Sequence, residues 1–98
     1  GSNPEALAML IKQARDYSNR YRQNVFKQLA KRTTIQGLVV LREVALDTTD
    51  PCQVYAIQAL LDFGGKDSLP ILEKILADPK VSIGTRQAAK EAFEKLTK

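Results

Sequence analysis

Apolar residues recur along this chain with a helical rhythm, not an alternating one. Leu7, Leu10, Ile11, Ala14, Tyr17, Tyr21, Val25 and Leu29 fall three or four positions apart, which lines them up on one face of a helix. Asn3-Pro4 supplies a capping side chain followed by a proline at the first helical position. No glycine or proline interrupts residues 5–36. One long helix to about Lys31, or two helices broken at Ser18-Asn19, would both satisfy this pattern. Neither Ser18 nor Asn19 has the Glu or Gln three positions on that would mark a fresh helix start.

Beyond this segment, Thr33 and Gln36 fit a capping box, and Ile35, Leu38, Leu41, Val44 and Ala45 form the buried face of the next predicted helix. The polar run Asp47-Thr48-Thr49-Asp50 ends it, and Asp50-Pro51 opens a helix carrying Val54, Ala56, Ile57, Leu60, Leu61 and Phe63. Gly64-Gly65 can adopt the left-handed backbone of a helix end. Asp67 or Ser68 then caps a helix with Pro70 in its first turn and Leu69, Leu72, Ile75 and Leu76 on its apolar stripe. Asp78-Pro79 repeats the Asp-Pro signal ahead of a last helix, whose core positions are Ile83, Ala88, Ala89, Ala92, Phe93 and Leu96. No stretch alternates cleanly, and no Asn-Gly or Asp-Gly hairpin turn occurs. The expected fold class is all-α.

An internal repeat organises these helices. Leu38 to Asp47 set above Leu69 to Asp78 brings the aliphatic columns into register at an offset of 31 residues. The following helices also correspond, with Ala56, Ala59 and Leu60 matching Ala89, Ala92 and Phe93 at an offset of 33. Such periods indicate helical hairpins that share a continuous core, because one hairpin alone leaves an apolar face in water. Small residues at Ala56, Ala59, Ala89 and Ala92 let neighbouring helices approach closely.

The run Asp50-Pro51, Val54, Ala56, Ala59-Leu60-Leu61, Gly64-Gly65, Leu69-Pro70-Ile71-Leu72, Ile75-Leu76, Asp78-Pro79-Lys80-Val81, Arg86 and Ala88-Ala89 resembles HEAT repeats over residues 35–98. The resemblance implies a short alpha-alpha superhelix of about two and a half helical hairpins behind an N-terminal capping helix. Residues 3–34 form that N-terminal helix or helices, and residues 35–63 and 68–97 the repeat helices. The family's usual arginine after the valine is replaced by Tyr55 and Ser82. The arginine-to-aspartate ladder between repeats is therefore not expected in its usual form, with Arg86 a partial substitute. Gly1-Ser2 reads as a tag remnant.

Charge separates the two halves. Residues 1–49 hold 8 Lys or Arg against 4 Asp or Glu, and residues 50–98 hold 7 of each, so the whole net charge of +4 lies in the first half. On one continuous helix, Arg20, Lys27 and Lys31 would share a face with Asn24 between them. Arg20, Arg22, Lys27 and Lys31 are accordingly the expected partner contacts, with an acidic protein surface as the favoured partner and a nucleic-acid backbone as the alternative. Tyr17 and Tyr21 lie on the apolar stripe and are expected to pack inside rather than stack on bases.

Composition narrows the chemistry. With no histidine and a single cysteine, Cys52, the chain lacks zinc sites of the Cys/His type and any nucleophile served by an imidazole base. Gly37, Gly64, Gly65 and Gly84 match no phosphate-binding loop; Gly37 and Gly84, near helix starts, are expected to admit a close neighbour. Asp47 to Asp50 lack the spacing of a calcium loop and suit a cap and turn. No enzyme activity, cofactor or metal is expected. No apolar run approaches the roughly 20 residues of a membrane helix, and the scarcity of cysteine suits a cytoplasmic setting. The expected role is a protein-interaction scaffold or adaptor cut from a larger protein, with weak self-association through an uncovered end.

Overall fold

The computed structural model describes residues 3–98; Gly1 and Ser2, read above as a tag remnant, lie outside them. Six α-helices follow one another, with no strand among the described residues: α1 (Pro4–Arg15), α2 (Arg22–Arg32), α3 (Ile35–Leu46), α4 (Gln53–Phe63), α5 (Leu69–Ala77) and α6 (Ile83–Thr97). A single 3-10 turn, Lys66–Ser68, precedes α5. The fold is all-α, as the apolar spacing indicates. Helices α1, α3 and α5 are neighbours in one layer, while α2, α4 and α6 are neighbours in a second. Each odd-numbered helix also packs against the even-numbered helix that follows it, giving three antiparallel pairs in a slab whose principal extents are 37 × 30 × 16 Å.

The first thirty residues are two helices and form a full pair. The break comes at Asp16, where the backbone turns extended and the Asp16 N–H donates to Gln13 O. Asp47 ends α3 and Asp78 ends α5 in the same way, through Val44 O and Ile75 O. Asp16, Asp47 and Asp78 are spaced 31 residues apart, and so are Gln13, Val44 and Ile75. Each aspartate then turns its side chain onto the residue two positions on: Asp16 Oδ1 accepts from Ser18, Asp47 Oδ1 from Thr49, and Asp78 Oδ1 from Lys80. This local competition between side chain and helical backbone is what stops each helix.

Packing follows the predicted core closely at the centre of the slab. Leu41 and Leu72 are fully enclosed at equivalent places, with Leu10 in the matching position of α1. Phe26, Leu29, Val40, Ile57, Leu60, Ala89 and Ala92 complete a single hydrophobic core that spans all three pairs. Gly37 admits the neighbouring helix as expected: a Cβ there would stand 3.4 Å from Leu29 on α2 and 3.0 Å from Thr34 Oγ1. Gly64 and Gly65 both take positive φ, as a helix end with two glycines allows.

Several sequence expectations are displaced. Ile35 and Ile83, assigned to buried faces, are 78% and 88% exposed; each lies half a turn round its helix from the buried Val44 or Ala92, on the side facing away from the core. Tyr17 and Tyr21 are exposed because the break at Asp16 removes them from any continuous helix. Helix α3 is capped by Thr34, whose hydroxyl accepts from Gly37 N, while Thr33 takes left-handed backbone. The Asp-Pro pairs lie in turns, and α4 and α6 begin at Gln53 and Ile83. Ser68 precedes α5 without a capping side-chain bond. Nothing lies within 4 Å of a Cβ placed on Gly84, so this glycine admits no close neighbour.

If the inward and outward positions are as described, Leu41→Ala should lower the unfolding free energy by about 2–5 kcal/mol through lost burial and cavity formation. Ile83→Ser should change it by less than about 0.5 kcal/mol, as at other exposed sites. Urea denaturation followed by circular dichroism checks both.

Candidate functional site

The four basic residues singled out by the sequence separate into three environments. Arg20 is exposed in the turn before α2. Arg22, the first residue of α2, is buried at 1% exposure. Lys27 and Lys31 are exposed one helical turn apart on α2. The expectation of one shared basic face depended on an unbroken helix, and only the Lys27–Lys31 pair keeps it.

Arg22 cannot reach a partner because its guanidinium is fully engaged within the chain. Nε and Nη2 donate to Ala14 O at 3.0 and 2.8 Å, which satisfies one of the open carbonyls at the end of α1. Nη1 and Nη2 donate to Asp50 Oδ1 and Oδ2, both at 2.7 Å, in a bidentate ion pair whose two side chains are each 1% exposed. Tyr17 and Phe26 rings flank the cation at 4.9 and 5.3 Å. The bond to Asp50 holds the Arg22 pKa above its ordinary value even though burial works the other way.

This side chain reaches from the first helix pair to the turn of the second. Gln53 and Arg86 occupy comparable places at the starts of α4 and α6: Gln53 Nε2 donates to Ala45 O, and Arg86 donates to Leu76 O and Asp78 O. Ala14, Ala45 and Leu76 are again 31 residues apart. Arg86 therefore ties its own pair together; the buried arginine-to-aspartate link between pairs is Arg22 to Asp50.

A cleft of about 220 Å³ opens above this pair, lined among others by Arg15, Tyr17, Glu43 and Asp47. Arg15 and Glu43 meet at 2.9 Å in an exposed ion pair. Tyr17 donates its hydroxyl to Asp47 Oδ2. Hydrogen bonds from Thr49 and then Tyr17 hold the Asp47 carboxyl below its ordinary value, and the bond to Asp47 pushes the Tyr17 phenol up. Asp16 is likewise held low by its bonds from Ser18. These groups are internally matched, and the cleft contains no nucleophile next to a free base.

Two surfaces remain with unmatched character. Lys27 and Lys31 border a pocket of about 170 Å³ together with Ala30 and Asp62 of α4. Neither lysine belongs to the two ion pairs found among the described residues. On the other layer, Ile11 of α1 and Ile35, Val39 and Val40 of α3 line a groove of about 330 Å³. Its apolar exposure was hidden in the sequence because α3 is apolar on both sides. Cys52, half-buried beside Asp50, donates its backbone N–H to Asp50 Oδ1.

Among the described residues, no group of three His, Cys, Asp or Glu side chains is placed to hold a metal ion. No helix among the described residues is long and apolar enough to cross a membrane. No protein-family model matches the chain, and no curated protein or solved structure gives a significant match to it.

Removing one partner of a buried ion pair leaves the other charge uncompensated. Arg22→Ala should therefore cost about 3–5 kcal/mol, whereas the double change Arg22→Met with Asp50→Leu should regain only part of it, because Ala14 O and the Cys52 N–H still lose their partners. Chemical denaturation of both variants tests this. The Tyr17–Asp47 bond makes a second, pH-dependent prediction. Asp47, with its folded pKa depressed, contributes stability above its unfolded value of 3.8 that is lost as pH falls through the folded value. Tyr17, with its folded pKa raised, contributes stability below 10.0 that is lost as pH rises through the folded value. The difference in melting temperature between wild type and Tyr17→Phe should be largest between these limits and shrink beyond both.

Proposed function

We propose that this chain is a protein-interaction module of the HEAT-like helical-repeat kind, with α2 as the contact for an acidic segment of a partner protein. The observation that carries the reading is the pair Lys27 and Lys31. They stand exposed one turn apart, outside every ion pair found among the described residues, at the border of a shallow pocket. Two adjacent cations beside apolar Ala30 suit a carboxylate-bearing chain laid across α2 and α4, with Asp62 setting the far edge. Arg20, exposed in the turn before α2, lies outside the pocket that Lys27 and Lys31 border. Arg22 has no part in it.

Binding, not catalysis, is the role we assign, since the chain has no histidine and its cleft is a closed set of hydrogen bonds. The HEAT-like reading draws on three antiparallel pairs in two layers and on the recurrence of the caps at 31 residues. A cytoplasmic location for the module belongs to the same proposal.

A second reading, phosphate-backbone binding, gains support from one feature. Tyr21 is 68% exposed beside Arg20, where a base could stack on it. Salt separates the two readings, because each phosphate neutralised on duplex DNA adds about −0.9 to the log-log slope of affinity against salt.

Fluorescence anisotropy with a labelled poly-glutamate peptide and with a short DNA duplex tests the proposal. The peptide should bind at low salt and lose about tenfold or more in affinity in the Lys27→Glu, Lys31→Glu variant, while Arg20→Glu weakens it less. Preferential binding of the duplex, with a steep salt slope and a loss on Tyr21→Ala, would move the assignment to nucleic acid. No binding of either probe would remove α2 as a contact surface.

A further inference from the structure

Helix α3 is unusual in having apolar side chains on its outer side as well as its inner one. Val40, Leu41, Val44 and Ala45 face the core. Ile35 and Val39, four residues apart, are 78% and 44% exposed, and Leu46 is exposed at the end of the helix. A central helix of a layer that is apolar on both sides either lies inside a larger protein or receives a partner on its open side. Here Ile11 of α1 joins Ile35, Val39 and Val40 to form the walls of the groove. The apolar exposure at the groove is the turn of α3 over residues 35–39, about 6 Å long at 1.5 Å per residue; Arg42 and Glu43 separate it from Leu46.

Charge selects the occupant. Arg15 lines the groove and Lys12 stands exposed one turn before it on α1. Lys12 takes part in no ion pair found among the described residues, and Arg15 holds only Glu43, with both side chains more than half exposed. Such a pair is weak and exchangeable. Asp16, which caps the end of α1, lies close enough to Lys12 to offset part of its charge, while Glu5 lies two turns away toward the start of the helix. A second copy of this chain would bring the same excess of cations against itself. A partner with carboxylates flanking an aliphatic stripe would neutralise Lys12 and Arg15 while it covers Ile35 and Val39.

We propose that the α1–α3 groove is a docking site for a single amphipathic helix of a partner protein. Two or three aliphatic residues at helical spacing sit against Ile11, Ile35 and Val39, and an acidic residue at one side meets Lys12 and Arg15. This is helix-in-groove recognition, in which a short apolar stripe supplies the affinity and the flanking charge sets orientation. The site lies on the layer opposite to Lys27 and Lys31 and does not depend on their role.

The test uses the whole chain, labelled with nitrogen-15, and two synthetic fourteen-residue helical peptides. Both carry the same leucine stripe; one has glutamates and the other lysines on its flanks. Titration with the glutamate peptide should shift the amide resonances of Ile11, Arg15, Ile35 and Val39. Val39→Asp should weaken it by about tenfold or more, and so should replacement of the peptide glutamates by lysine. Val39 is already exposed, so the variant keeps the fold, which its circular dichroism melt verifies. Lys27→Glu with Lys31→Glu should leave the titration unchanged. The proposal is overturned if the two peptides bind alike, if the shifts map to α2 and α4 instead, or if no resonance moves. It is also overturned if light scattering shows a concentration-dependent dimer that Val39→Asp abolishes, which would make the groove a contact between copies.

Discussion

A cation buried at the start of α2 holds the first helix pair to the second. Ala14 O, left open where α1 ends, needs a donor; Asp50, buried in the turn before α4, needs a cation. The Arg22 guanidinium meets both with one planar group, and only an arginine has enough donors in that geometry. Its position between Tyr17 and Phe26 removes water from the contact, which strengthens the bonds and raises the cost of losing either partner. For a chain of this size, whose total stability is on the order of 5–15 kcal/mol, such a contact is a large share of what keeps the halves together.

The rest of the architecture is consistent with that link. Every odd-numbered helix ends at an aspartate that bonds two residues on, and every even-numbered helix has a long polar side chain near its start that reaches back to the end of its partner. The three pairs therefore present the same turn geometry along one edge, and the aliphatic rows Leu10, Leu41 and Leu72 fall into register behind it. In the first pair the back-reaching residue also grips the next pair. Gln53 lacks the charge for this, and Arg86 donates to Leu76 O and Asp78 O within its own pair.

Much of this was readable from the sequence, and the omissions have physical causes. The 31-residue register of the second and third pairs was plain because both carry unbroken aliphatic columns. In the first pair Gln13 stands where Val44 and Ile75 carry aliphatic side chains, and α2 reads as basic, so the match at Leu7, Leu10, Ala14 and Asp16 is missed in the sequence and the segment reads as a capping helix. Arg22 was assigned to the surface because basic side chains usually lie there; what marks it as buried is an aspartate 28 positions away in sequence, which only the fold brings near. Lys27 and Lys31, expected to share one face, lie a turn apart within one helix and are both exposed. Exposure of Ile35 and Val39 was beyond any periodicity argument, since a helix apolar on two sides does not declare which one is covered.

Native-state hydrogen exchange tests the central claim directly, because it reads the opening free energy of each helix separately. If Arg22 makes α1 and α2 an integral pair, the slowest amides of α1, near Leu10 and Ala14, should exchange through the same cooperative opening as those of α4 near Ile57 and Leu60. Exchange of α1 and α2 through a separate, much less costly opening, with α3 to α6 still protected, would mean that the buried ion pair does not join them and that the first thirty residues are only an appended cap.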